Sequence, residues 1–342
     1  MTAPSSDRPL SVPHDLAAML AAAGLDPART AGCEPLAGGT YNTLHRVVLD
    51  DGSRLILKQP PTPGGPHLTY EADLLRNEVE YYRAAGRHTA GSVPEVLYCD
   101  PDGSAAHGGF LLMSECPGQT WAAAAAGLTA PERGRLRRQL GSRLAELHTV
   151  TGSFFGYPSA AVPTAGNWRE AFTAMLAAVL ADADRFGCGL PVPVDRVRSL
   201  IDAAAPALDQ VSVPALVHFD LWEGNILLTG PAGERRLGAL VDGERMFWGD
   251  PLAELVSLNL FGAPEDDPEL LAGYRAAGGP ADLDQQARLR VALYRCYLYL
   301  IMLVEGVPRE YSRAQSAETR LTAGPALTSA LDLLAAITGA AR

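Results

Sequence analysis

The sequence predicts an α+β protein built as two lobes, a small, mainly antiparallel β lobe followed by a larger α-helical one. Three observations point there. The chain of 342 residues is longer than a single hydrophobic core ordinarily organises. Two short apolar runs near its start, residues 44–49 (LHRVVL) and 54–59 (RLILKQ), flank the turn residues Asp50, Asp51 and Gly52, the pattern of a β-hairpin. Beyond Cys116-Pro117-Gly118, a natural breaker, the apolar residues recur every three or four positions, which is the helical period.

Taken in chain order, residues 1–13 read as a flexible leader, because Pro, Ser and mixed charge stand where a secretory signal needs a basic start and an apolar stretch. An Ala/Leu-rich helix over 14–23 opens the N-terminal lobe, which spans 14–115. The hairpin follows, then a loop by composition at 60–67 (PPTPGGPH). The spacing of Leu74, Leu75, Val79 and Tyr82 predicts a helix over 71–85 with those residues on one stripe. Two further strands are expected at 96–98 and 110–113, ending at a hinge, 116–120. The C-terminal lobe, 121–342, carries helical stripes through Leu136, Leu140, Leu144 and Leu147, through Phe172, Met175, Leu176, Val179 and Leu180, and through Val197, Leu200 and Ile201. One exception interrupts it: strands at 226–229 and 237–241 joined by the turn GPAGE.

Lys and Arg number 28 against 39 Asp and Glu, a net charge of −11 that disfavours nucleic acid as a partner, since phosphate binding needs a basic face. The five cysteines never form a CxxC pair, so neither a disulfide framework nor a zinc site is indicated, and a reducing cytoplasm fits best. No uninterrupted apolar run has the length of a membrane span, the most apolar, 291–304, being broken by Arg295, and no membrane partner is expected.

The chemistry concentrates in VHFDLWEGNILL, where His218, Asp220 and Asn225 form the pattern HxDxxxxN, and in ALVDGE, where Asp242 follows the next strand. If the two strands pair antiparallel, Asn225 just before the first and Asp242 just after the second meet at one open end. An amide oxygen and a carboxylate there suit Mg²⁺, which keeps several waters and is completed by substrate phosphates. Asp220 then stands where it can take a proton from an attacking hydroxyl. With 7 His, 21 Asp and 5 Asn, chance supplies only about 0.006 copies of HxDxxxxN in such a chain.

These motifs resemble the aminoglycoside phosphotransferase family, the small-molecule branch of the protein-kinase-like fold, over roughly residues 34–335. The resemblance implies a catalytic Asp220, metal-binding Asn225 and Asp242, and a phosphate-holding Lys58 paired with Glu78. Glu71 and Glu80 compete for that pair, and Glu71 is better placed in the first helical turn. The stretch FLLMSECPG resembles the family's hinge, which would set adenine against the backbone of Ser114 and Cys116 with Met113 behind it, and GDPLAEL resembles its closing GDPxxDL signature. HxDLWxGN is also similar to fructosamine kinases. Protein kinases differ: they carry Arg at Phe219 and Phe-Gly after the metal acid, where this chain has Gly243-Glu244. The family itself usually has Gly at Phe219 and often Trp at Gly243.

Gly38, Gly39 and Thr40, before the first strand, are expected to bring backbone amides to the ATP phosphates, with Asn42 assisting. His218 and His148 read as structural, and Asp250 as a cap on its loop. Glu223, Glu244 and Trp222 are candidates to face the acceptor, the surplus acids suiting a cationic one. The aromatic set Trp168, Trp222, Trp248, Tyr294, Tyr297 and Tyr299 is mostly core by default, with one or two of its members expected to wall the substrate pocket. The expected reaction is Mg²⁺-dependent transfer of the γ-phosphoryl group of ATP to a hydroxyl of an aminoglycoside or related amino-sugar compound. The alternatives are a ketosamine, free amino sugar, macrolide or nucleoside antibiotic as acceptor, or a non-catalytic nucleotide-binding module of the same fold.

Overall fold

A computed structural model describes residues 13, 15–36, 41–61, 64–89, 91–104, 108–159 and 161–340. Gly38, Gly39, Thr40 and all of the expected leader but Pro13 lie outside them. Helix α1 (Leu16–Ala22) stands where the Ala/Leu run predicts it, and β1 (Thr30–Leu36), β2 (Thr43–Leu49) and β3 (Arg54–Gln59) follow. The hairpin forms as expected: β2 and β3 pair antiparallel, with Leu44 opposite Lys58 and Arg46 opposite Ile56. β1 has no signature in sequence because TAGCEPL does not alternate; it is an edge strand, the one place where Pro35, lacking an N–H, is tolerated.

The two faces of this hairpin have different tasks. Val47, Leu49, Leu55 and Leu57 pack with Met19 and Leu20 of α1, while Leu44, Arg46, Ile56 and Lys58 turn to the opposite face and line a cleft. Helix α2 (Leu74–Gly86) starts later than the stripe suggests, since residues 69–73 form a 3₁₀ turn closed by the Glu71 carboxylate on Leu68 N at 2.8 Å. It is buried beyond one stripe, Tyr81 and Tyr82 included, because it packs against the sheet on one side and the Gly243–Arg245 turn on another. Strands β4 (Val96–Ser104) and β5 (Gly108–Ser114) complete an antiparallel sheet of order β1-β2-β3-β5-β4.

The chain then crosses through Gly118 to β6 (Gln119–Thr120). Gly118 has φ +124°, and a Cβ there would lie 2.5 Å from the Leu228 carbonyl oxygen. Gly118→Ala is therefore expected to destabilise the fold by about 2 kcal/mol, read as a lower thermal midpoint; an unchanged midpoint would contradict this packing.

Helices α3 (Trp121–Ala124), α4 (Ala130–Leu147), α5 (Trp168–Arg185) and α6 (Val194–Ala204) follow, the last three on the predicted stripes. Next come β7 (Ala215–Val217), the hairpin β8 (Ile226–Thr229) and β9 (Arg236–Leu240), and β10 (Phe247–Gly249), which pairs with β7. Helices α7 (Glu254–Leu258), α8 (Pro268–Ala276), α9 (Gln285–Glu305) and α10 (Arg313–Thr338) end the chain. The aromatic set is core except for Trp222, which lines the cleft: Trp168 Nε1 donates to the Tyr294 hydroxyl at 2.8 Å, which donates to Asp250 at 2.7 Å, and Phe172 and Phe247 pack around them. Asp250 also accepts from Leu252 N and Arg290, the capping role predicted for it.

One described helix, α10, has the length and mean apolar composition of a membrane span, although it holds no uninterrupted apolar run of that length. Counting only unbroken apolar runs overlooks it, because polar residues such as Asp332 punctuate an Ala- and Leu-rich stretch. Here Leu327, Leu331 and Leu334 are buried, and the helix packs on α9 and α6.

Candidate active site

The hairpin β8–β9 brings its two ends together as the sequence predicts. Ile226 stands opposite Leu240, and Val241 N donates to the Asn225 carbonyl at 3.0 Å, so Asn225 and Asp242 share one end. Lys58 arrives from β3 with only 2% exposure, which removes the reading of a solvated strand lysine. Its Nζ lies 2.7 Å from Glu78 on α2, 2.6 Å from Asp242 and 2.7 Å from Glu244. Glu71 is elsewhere, paired with Arg309. Burial alone would lower the Lys58 pKa, but the three carboxylates hold it well above its ordinary value. Burial pushes Glu78 up to about 7, against the pull of Lys58. Burial also works to raise Asp242, yet Lys58 keeps it below the usual carboxylate range.

Three carboxylates around one ammonium leave surplus negative charge, relieved only in part by a proton on Glu78, and a divalent cation at Asp242 would offset it. Asn225 fits the same role: its Nδ2 donates to the Asp220 carbonyl at 2.9 Å, and no described residue donates to its Oδ1. Tyr82, one turn after Glu78, ties the two halves together by donating to Glu78 at 2.7 Å and accepting from Asp242 N at 2.8 Å. Asn42 donates to Glu244 at 2.6 Å. Glu244, expected at the acceptor, is thus engaged with Lys58 and Asn42. A side chain at Gly243 would put its Cβ 2.3 Å from the Tyr81 ring, which explains why no Trp stands there.

Asp220 sits on a loop fixed from below. Phe219 has φ +64°, the conformation that favours Gly, and its ring is buried against Phe247 and Tyr297. The loop keeps this shape because Glu254 of α7 accepts from His218 N at 2.7 Å and Phe219 N at 2.9 Å, and Ser257 accepts from Leu221 N at 3.1 Å. His218 is structural as predicted: Nε2 faces the Val241 carbonyl at 2.9 Å while Nδ1 accepts from Asp220 N at 3.2 Å, and burial lowers its pKa. His148 likewise bonds Tyr274, at 2.7 Å. Burial raises Asp220 to about 7; Arg245, with Nε at 3.8 Å, opposes the rise, and Asp242, Glu305 and Glu244 add to it. Replacing Glu254 by Gln leaves one backbone N–H without an acceptor, at a cost of about 1–3 kcal/mol. We expect the thermal midpoint to fall and, in a turnover assay, kcat to fall more than KM rises; the reverse split would deny Glu254 its positioning role.

The cleft holding these groups has a volume of about 990 Å³. Near the hinge its walls are apolar, with Leu44, Ile56 and Met113 from one lobe and Leu227 and Val241 from the other. Ser114 and Cys116 line the same end. Ser114 N–H is taken by the Glu95 carbonyl at 2.9 Å, whereas no described residue bonds the Cys116 backbone. Trp222 stands in the cleft, 42% exposed. Glu223 is not among its walls and pairs with Arg133 at 2.7 Å.

Sequence reasoning missed Tyr82, Arg245, Glu305 and Arg309. The first two carry a signal, being one helical turn after Glu78 and one short turn after Asp242. The others carry none, since Glu305 meets Arg245 across 60 residues of chain.

The model of the phosphotransferase enzyme family matches residues 32–294. A solved structure from Thermobifida fusca designated a fructosamine-3-kinase superposes with a TM-score of 0.66 at 23% identity, covering 93% of this chain and 98% of that one. An aminoglycoside phosphotransferase variant in ternary complex with AMP-PNP and hygromycin B gives 0.59 at 16% identity, covering 92% and 96%. A macrolide 2'-phosphotransferase from Brachybacterium faecium gives 0.54 at 19%, covering 91% and 97%. No curated protein sequence matches the chain. At these identities the likeness establishes the fold, the two-lobed kinase-like one that the sequence predicts.

Proposed function

The chain belongs to the phosphotransferase enzyme family, and from that premise we propose that it transfers the γ-phosphoryl group of ATP to a hydroxyl of a small molecule, in the presence of Mg²⁺. The observation that carries this reading is the convergence in one cleft of a lysine held by Glu78, a carboxylate beside an amide at a hairpin end, and Asp220, whose carboxylate is met only by Asn225 Nδ2 at 3.3 Å and Arg245 at 3.8 Å. Lys58 holds the α- and β-phosphates and Glu78 holds Lys58. Asp242 and Asn225 would bind the metal, which when present neutralises phosphate charge. The apolar walls at Ile56, Met113 and Leu227 suit a planar base, and the free Cys116 backbone supplies a donor and an acceptor for its edge.

Asp220 receives the proton of the acceptor hydroxyl as the oxygen bonds to the γ-phosphorus and the bond to the β-phosphate oxygen breaks, releasing ADP. Little covalent work falls to the protein, and alignment and charge account for most of the acceleration. An amino-sugar acceptor is supported by the hygromycin B bound in one structural neighbour. Five free cysteines, none bridged, support a reducing cytoplasm as its location.

The test is ADP release from ATP across a panel of amino sugars, ketosamines, nucleosides and macrolides. EDTA is expected to abolish release and Mg²⁺ to restore it; turnover that survives chelation would overturn the metal's part in the reading.

A further inference from the structure

Helix α2 carries Glu78, yet it is fastened to the C-terminal lobe along its length. In the turn that leads into it, Thr69 donates to Asp182 of α5 through both N, at 2.6 Å, and Oγ1, at 2.8 Å, and Tyr70 stacks on Tyr157 with ring centroids 5.6 Å apart. Within the helix Asn77 accepts from Ser159 N at 3.0 Å, and the Tyr82 hydroxyl accepts from Asp242 N at 2.8 Å. Lys58, by contrast, comes from the sheet of the N-terminal lobe. The Lys58–Glu78 pair therefore spans the seam between that sheet and the larger lobe, and its geometry depends on how the two are set against each other.

Arg309 sits on this seam. It leaves the turn after α9 with its side chain only 8% exposed, and Glu305 of α9 ties it down from two sides: the carboxylate lies 3.3 Å from Nη1, and the carbonyl accepts from Arg309 N at 3.1 Å. From there the guanidinium reaches two segments of the N-terminal lobe. Its Nη2 bonds Glu71, the same carboxylate that closes the 3₁₀ turn before α2 by accepting from Leu68 N. Its face covers the Tyr41 ring, 4.8 Å from the centroid. Tyr41 is followed at once by Asn42, which donates to the Glu244 oxygen that also accepts from Lys58. A planar fork suits this position, because its two edges serve two carboxylates while its face stays on the ring.

Resting on the kinase reading above, we infer that Arg309 is a positioning residue for the phosphate-binding machinery: it sets the N-terminal lobe against the C-terminal one so that Lys58 and Glu78 meet at the nucleotide. It acts through Glu71 on the entry to α2 and through Tyr41 on the segment beside Lys58.

The experiment is calorimetric titration of the full chain with AMP-PNP and Mg²⁺, with the thermal midpoint measured on the same samples. Arg309→Gln is expected to weaken AMP-PNP binding about tenfold, since misalignment acts on every phosphate contact that Lys58 makes. That variant leaves Glu71 buried without a counter-charge, so the double variant Glu71→Gln, Arg309→Met, which removes both charges, stands in where the single one fails to fold, with the same loss expected. Arg137→Gln is the control. Arg137 makes a comparably buried pair with Asp267, between α4 and α8 and outside the cleft, and its loss is expected to lower the midpoint while AMP-PNP affinity stays within about twofold of the parent.

An Arg309 variant that behaves like this control, with a lower midpoint and unchanged AMP-PNP affinity, overturns the inference and leaves the kinase reading standing. Arg137→Gln weakening AMP-PNP as much as Arg309→Gln also overturns it, since affinity would then merely follow stability. A parent protein that binds no AMP-PNP overturns both readings.

Discussion

Asp220→Asn is expected to lower phosphoryl transfer about a thousandfold while nucleotide affinity stays nearly unchanged. The substitution preserves volume and leaves the Asp220 backbone carbonyl in place to accept from Asn225 at 2.9 Å, so the loop keeps its shape. What disappears is a group able to take a proton at the acceptor oxygen. Stability should be unchanged or slightly higher, because burial already disfavours the ionised carboxyl and raises it to about 7, and an amide carries no such penalty. The measurements are kcat from ADP release, AMP-PNP affinity by titration, and the thermal midpoint. A loss of nucleotide affinity as deep as the loss of turnover would remove Asp220 from the role of base.

Lys58→Met is expected to damage both folding and function. The ammonium is 3% exposed and lies within 2.7 Å of three carboxylates, one of them Glu78 at 1% exposure. Removing it strands buried negative charge, at a cost of about 3 kcal/mol, partly relieved because Glu78 can take up a proton near pH 7. Nucleotide KM should rise and kcat fall by a factor of about 100 or more, since nothing else on β3 can reach the phosphates. Added Mg²⁺ should raise the thermal midpoint of this variant more than that of the parent, because the cation enters a site with one positive charge fewer. A variant as stable as the parent and insensitive to Mg²⁺ would show that the three carboxylates do not form the charged cluster described.

Much of the site was legible because its parts are joined by short covalent spacings. Asp220 and Asn225 are separated by five residues, and a hairpin of predictable length returns the chain to Asp242, so antiparallel pairing alone puts the three together. In the structure Lys58 lies on the face of β3 opposite Leu57, an assignment that the continuous apolar run Leu55-Ile56-Leu57 does not show by itself. Gly38, Gly39 and Thr40 lie outside the described residues, and their expected contact with phosphates stands as a proposal. β1 was invisible because an edge strand needs little hydrophobic alternation, and the late start of α2 reflects a 3₁₀ turn whose closure depends on the Glu71 side chain.

The sequence by itself determined the lobed α+β architecture and the meeting of Asn225 and Asp242 at one hairpin end, because periodicity and short-range spacing constrain the backbone directly, whereas the Lys58–Glu78 partnership was implied by the family resemblance. Only the tertiary structure decided how the charges are shared. Seven acids between 220 and 254 look alike in sequence, yet Glu244 closes on Lys58, Glu254 holds the His218–Phe219 amides, Glu223 leaves for Arg133, and Glu305, from a distant helix, occupies Arg245. The physical reason is that the strength of a carboxylate's interaction depends on its burial and on its distance to a counter-charge. Both are set by packing between elements that the chain separates by 60 residues or more in the Arg245–Glu305 pair and by 186 in the Lys58–Glu244 pair.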